Sequence, residues 1–127
     1  MKRKAFLTNQ APEPIGPYSQ AIQAGKLVFL AGQVPLDPAN GRLIEGDIVA
    51  QTRRAMDNVM AVLEEAGLSP EHVIKTTIYL ADMGDFPVMN EVYGSYFNDP
   101  PPARSAVQVA RLPKDARIEI DVIAVMD

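Results

Sequence analysis

The sequence predicts an α+β fold in which a single β-sheet carries two helices on one face. Three observations predict it. Apolar residues recur at near-helical spacing from Ile48 to Ala66, whereas Val73 to Ala81 and Arg117 to Met126 alternate with a period of two. The 127 residues also hold no internal repeat, low-complexity tract or linker, which leaves one domain over 1–127.

The elements follow in order as β-β-β-α-β-α-β-β. Lys4 to Thr8 reads as a short edge strand, and Pro12, Pro14, Gly16 and Pro17 then impose an irregular segment with Tyr18 just past a Gly-Pro turn. Ala21 to Ala24 and Lys26 to Ala31 flank Gly25 as a hairpin, with β-favouring Val28 and Phe29 in its second arm. Asp37 to Gly41 is a turn-rich loop. In the first helix Ile48, Ala55, Val59, Val62, Leu63 and Ala66 keep the helical period, Asp47 caps the start and Gly67 ends it.

Ser69-Pro70-Glu71-His72 has the cap-then-proline order of one helical turn. Val73 to Ala81 sets Ile74, Thr76, Ile78 and Leu80 against Val73, Lys75, Thr77 and Tyr79, a central strand with both faces largely covered. A second helix is predicted from Asp85 to Phe97, with Pro87 in its first turn and Phe86, Met89 or Asn90, Tyr93 and Phe97 on one stripe. Asp99 to Pro102 breaks it. Ala103 to Val109 places Arg104, Ala106 and Gln108 on one side; the last strand points Ile118, Ile120, Val122 and Ala124 one way and Glu119, Asp121, Ile123 and Val125 the other. Each helix has one apolar stripe to bury, so both belong on one sheet face. The opposite face is expected to carry Arg104 and Glu119, a surface too apolar for water and too charged for a sealed core, and therefore one that subunit association covers.

Composition narrows the function classes. A net charge of −4 with scattered basic residues argues against nucleic-acid binding. Zero cysteines exclude disulfides, thiolate nucleophiles and zinc–thiolate sites. Met1-Lys2-Arg3-Lys4 is followed only by Ala5-Phe6-Leu7 before polar residues, so no signal h-region forms, and no apolar run reaches membrane-spanning length. The expectation is a cytoplasmic protein. His72 is the single histidine and falls on a turn expected to be solvated, which leaves no serine–histidine–aspartate triad. No residue cluster suggests a metal, and the glycines form no phosphate loop; no cofactor is expected.

What remains is Arg104 in Pro101-Pro102-Ala103-Arg104-Ser105-Ala106-Val107, followed fifteen residues on by Glu119 in Ile118-Glu119-Ile120, on two strands expected to be neighbours. An arginine in an apolar run needs a partner, and its planar fork suits a carboxylate. A structural Arg–Glu pair is the alternative to a functional one.

The run from Pro102 through Arg104, Val107, Leu112 and Pro113 to Ile118-Glu119-Ile120 resembles the RidA (YjgF-like) family of reactive-intermediate deaminases. Ile15-Gly16-Pro17-Tyr18-Ser19-Gln20, Gly32-Gln33-Val34-Pro35 and Val73-Ile74-Lys75-Thr76-Thr77-Ile78-Tyr79-Leu80 extend the resemblance over essentially the whole chain. It implies a chorismate-mutase-like α+β fold with one mixed sheet, assembled as a homotrimer with ligand clefts between subunits. It further implies hydrolysis of 2-enamine and 2-imino acids, such as 2-aminoacrylate or 2-aminocrotonate, to 2-keto acids and ammonia. Under it Arg104 clamps the substrate carboxylate, Glu119 activates water and returns a proton to the amine, Tyr18 closes the cleft, and Asn90 offers an interface hydrogen bond. The substrate-binding set is Tyr18, Ala31, Gly32, Asn90, Arg104 and Ala106, with backbone N–H groups around Gly32 as donors.

Two positions depart from the pattern. Ala31 stands where many members carry serine, and Ala106 where cysteine or threonine is common; each removes a polar group from the expected cleft wall. Two further function classes stay open, a carboxylate-binding regulatory module without turnover and a ribonuclease or translation inhibitor.

Overall fold

The computed structural model describes residues 2–127. Its elements are β1 (Arg3–Phe6), β2 (Ala21–Ala24), β3 (Leu27–Gln33), α1 (Ile48–Glu65), β4 (Val73–Leu80), α2 (Phe86–Gly94), β5 (Ala103–Gln108) and β6 (Ile118–Val125). They form one six-stranded sheet in the order β1-β2-β3-β6-β4-β5, antiparallel except for the β4–β5 pair. Helix α2 is the crossover of that parallel pair, as a β-α-β connection requires. Both helices lie on one face, and the core between them and the sheet holds Val28, Leu30, Met56, Val59, Leu63, Ile78, Leu80, Met89, Ile118 and Ile120. No helix among the described residues is long and apolar enough to cross a membrane.

Helix α1 forms where its ends are satisfied. Asp47 accepts a hydrogen bond from the Ala50 N–H at 3.0 Å. At the other end Gly67, with φ +77°, lets the Gly67 and Leu68 N–H groups reach the Glu64 and Leu63 carbonyls, both at 2.9 Å. That closure leaves few orphan carbonyls.

Three details differ from the periodicity reading. Strand β1 ends at Phe6 because the buried Gln20 amide captures Thr8, accepting from its N–H at 2.8 Å and donating to its carbonyl at 3.0 Å, which draws the chain off the sheet. Helix α2 is shorter than 85–97: a 3-10 turn over Met83–Asp85 precedes it, and the Ser95 hydroxyl donates to the Val92 carbonyl at 2.6 Å where it ends. A register shift between Val73 and Lys75 turns Val73 into the core and leaves Ile74 45% exposed, so the strict alternation fails at the start of β4.

The face away from the helices is open. Leu27 and Phe29 on β3 and Val107 on β5 are 40–44% exposed there, beside half-buried Ile123 and Val125 of β6.

Candidate functional site

The paired register decides which face each candidate occupies. Arg104 lies opposite Thr76 across the parallel β4–β5 pair, and Thr76 is fully buried toward the helices, so Arg104 points to the helix side. Glu119 lies opposite Tyr79 on the other side of β4, on the open face, while its neighbours Ile118 and Ile120 are buried in the core. The expectation that Arg104 and Glu119 share a face of neighbouring strands is therefore corrected. Strand β4 separates their strands, and within one chain the two groups project from opposite faces.

Around Arg104 the site is built by one stripe of α2. Phe86, Asn90 and Tyr93 recur at helical spacing. The Arg104 Nη1 donates to the Asn90 Oδ1 at 2.7 Å, and its Cζ stands 5.0 Å from the Tyr93 ring centre and 5.4 Å from that of Phe86. Both distances are within cation–π range. Tyr93 is itself fixed: its hydroxyl hydrogen-bonds the Thr76 hydroxyl at 2.8 Å, and its ring packs 4.9 Å from that of Phe97. Desolvation raises the Tyr93 pKa above 10, outweighing Thr76 and Arg104, so the ring stays neutral under the guanidinium. No carboxylate pairs with Arg104 among the described residues. Ala106, half-buried on the same side two residues along, is a small wall beside it.

On the open face, burial raises the Glu119 pKa above 4.5, and the nearby Asp121 carboxylate adds to the shift. Asp121 accepts the Tyr79 hydroxyl proton at 2.9 Å. The Glu119 carboxylate leans across the Gly32 backbone, where a side chain would collide with it, so the glycine is needed for close approach rather than for an unusual φ. Gly32 lies within the register shift of β3 between Leu30 and Gln33. Of the N–H groups expected there as donors, that of Ala31 is already engaged by the Gln20 carbonyl at 2.9 Å.

Tyr18 is 49% exposed on the segment leading into Gln20, its hydroxyl accepting from the Ile15 N–H at 3.3 Å. It lies two residues before Gln20, whose carbonyl accepts the Ala31 N–H of β3. The other candidates thus fall into two half-sites, Arg104, Asn90 and Ala106 against α2, and Glu119, Gly32 and Ala31 across the sheet.

His72 is not a solvated side chain. Its Nδ1 accepts the Ser69 N–H at 3.0 Å and its Nε2 meets Asp127 at 3.1 Å, which ties the turn before β4 to the end of the chain. The Ser69 hydroxyl also lies 3.1 Å from that Nδ1, so the histidine caps the turn through both the backbone and the side chain of Ser69. Among the described residues no cluster of His, Asp or Glu could hold a metal ion. In the sequence, Phe86 and Tyr93 under Arg104, the Thr76 anchor and the Tyr79–Asp121 pair show only as packing or strand positions. Aromatics at 86 and 93 flanking Asn90 on one helical stripe were the available signal.

A family model described as Endoribonuclease L-PSP matches residues 8–126. The chain is 47% identical to the mouse 2-iminobutanoate/2-iminopropanoate deaminase over 123 residues, covering 97% of this chain and 91% of that protein. Among solved structures it superposes on TdcF of E. coli with bound serine at a TM-score of 0.93 and 44% identity, covering 98% of this chain and 99% of that one. The E. coli YjgF gene product gives 0.92 and 43%, with the same coverage. Fold, motifs and these relatives agree over nearly the whole length, and the chain belongs to the Endoribonuclease L-PSP family, that of YjgF and RidA.

Proposed function

We propose that this chain hydrolyses 2-imino and 2-enamino acids to 2-keto acids and ammonia, at sites formed between copies of the chain in a homotrimer. One observation carries the reading. The Arg104 guanidinium is oriented by an amide oxygen and two aromatic rings, yet no carboxylate neutralises it among the described residues. Such a group is a receptor for a small carboxylate, and a 2-imino acid presents its carboxylate beside the electrophilic C=N carbon. Clamped there, that carbon is held for attack by water.

Glu119 supplies the proton handling. It takes a proton from water as the oxygen adds to the carbon of the protonated imine and donates it to the carbinolamine nitrogen; the C–N bond then breaks as the remaining hydroxyl proton leaves with the amine, giving the keto acid and ammonium. A carboxyl whose pKa is raised is better matched to both transfers than an ordinary one. Because Arg104 and Glu119 project from opposite faces of one sheet, a small ligand meets both only where two copies abut. The exposed Leu27, Phe29 and Val107 on the Glu119 face support such an assembly. The mouse relative's activity supports the reaction class, and the serine held by TdcF supports a ligand with a carboxylate.

The test generates 2-aminoacrylate in situ from serine with a dehydratase and follows pyruvate release with and without the protein. Faster release than spontaneous hydrolysis is expected; equal rates refute the enzyme. A second reading, carboxylate binding without turnover, is favoured by the fact that one chain alone completes the Arg104 receptor but not the pairing with Glu119. It predicts 2-ketobutyrate binding with no rate. Ribonuclease action fits poorly with a net charge of −4 and a single histidine committed to Ser69 and Asp127.

A further inference from the structure

The half-site on α2 raises a question of its own, why an arginine meant to receive an anion is seated on rings rather than on a carboxylate. A guanidinium has five N–H donors and one delocalised charge. A carboxylate partner would orient it but would occupy two donors and cancel the charge, competing with any ligand. Ring faces orient the same plane and consume neither. At Arg104 the single conventional side-chain hydrogen bond among the described residues, to Asn90, uses one N–H of Nη1. The remaining orientation comes from Tyr93 and Phe86, with centres 5.0 and 5.4 Å from Cζ.

The tyrosine ring is held in place at several points, and Phe86 packs against the core. Tyr93 is 5% exposed, packs on Phe97, and is tied by its hydroxyl to Thr76, which is itself the strand partner of Arg104 across β4–β5. A closed circuit results: β5 carries the arginine, β4 beside it anchors the tyrosine, and α2 lays the tyrosine ring against the guanidinium. We propose that Tyr93 and Phe86 are positioning residues for carboxylate recognition, acting through Arg104 by fixing its plane while leaving its charge and outward donors available to the ligand. This rests on the receptor reading of Arg104 given above and adds to it the residues that set the strength of binding.

The experiment titrates the whole protein with 2-ketobutyrate by calorimetry and records melting temperatures in parallel. Four variants are compared with wild type: Tyr93→Leu, Tyr93→Phe, Phe86→Leu at a half-buried position, and Val92→Ala, a truncation of a buried residue on the same helix. Removing either ring is expected to weaken binding by roughly fivefold or more, the scale of one partly desolvated cation–π contact. Tyr93→Phe keeps the ring and is expected to bind within about twofold of wild type, although it leaves the Thr76 hydroxyl without its partner and melts lower. Val92→Ala is expected to melt lower with unchanged affinity.

Affinity that follows the rings while stability follows packing supports the inference. Leucine variants that bind as wild type does, or affinities that merely track melting temperature across all four, overturn it while leaving the Arg104 receptor intact. Should Tyr93→Leu fail to fold, Phe86→Leu alone decides between these outcomes. Wild type that does not bind 2-ketobutyrate overturns the receptor reading, and this inference falls with it.

Discussion

Replacing Gly32 by alanine tests the open-face half-site with the smallest possible change. The new methyl would lie 2.8 Å from Cδ and 3.1 Å from Cγ of Glu119, and nearer still to Oε2. Ordinary contact begins at 3.4 Å, so the carboxylate carbon must move by about 0.6 Å and the nearer oxygen by more. The atoms in the way are the end of a side chain on an open sheet face, which can swing aside, and Gly32 has no positive φ to strain. The fold should therefore survive with little loss of stability. Catalysis should not: misplacing a catalytic group by about 1 Å costs on the order of 10²-fold, so a shift of this size is expected to lower kcat by roughly 10- to 100-fold, about 1.4–2.7 kcal/mol of barrier. The assay is pyruvate release from 2-aminoacrylate, with melting temperature and 2-ketobutyrate affinity measured alongside. Unchanged melting with reduced kcat is the expected pattern. Full activity in a folded Gly32→Ala would refute the placement of Glu119 over Gly32 as part of the reaction.

Arg104→Lys should fold normally yet lose most 2-ketobutyrate affinity and turnover, since an ammonium gives charge without the two-pronged geometry; near wild-type kinetics would remove the clamp. Glu119→Gln should retain product binding while turnover falls about 10²-fold or more, and a fully active variant would end its assignment. The same substitution has a signed effect on stability. Because the folded-state pKa of Glu119 is raised above 4.5, its contribution is intact below that pH and is lost as the pH rises through the raised value. Melting temperatures of wild type and Glu119→Gln should converge in acid, and the glutamine variant should melt higher toward neutral pH; a gap that widens in acid instead would contradict the burial. Sedimentation equilibrium should give a trimer, and co-refolding inactive Arg104→Lys with inactive Glu119→Gln at equal amounts should restore about a quarter of the sites, the fraction in which the intact halves meet. Mixtures as inactive as their parents would place each site within one chain.

Much of this molecule was legible in the chain itself. The order of strands and helices, the Asp47 start and Gly67 end of α1, and the side-by-side placement of Arg104, Ala106 and Gln108 follow from local periodicity and capping, which depend on residues a few positions apart. The family motifs also single out Tyr18, Gly32, Asn90, Arg104 and Glu119 as candidates. Which face each residue occupies was not legible, because alternation divides a strand into two sides without saying which side its neighbours cover. That depends on pairing register over long separations, on β4 lying between β5 and β6, and on bulges at Val73–Lys75 and Leu30–Gln33. Tertiary structure alone put Arg104 on the rings of α2 and Glu119 on the opposite face over Gly32, since those contacts join segments that only the completed sheet brings together.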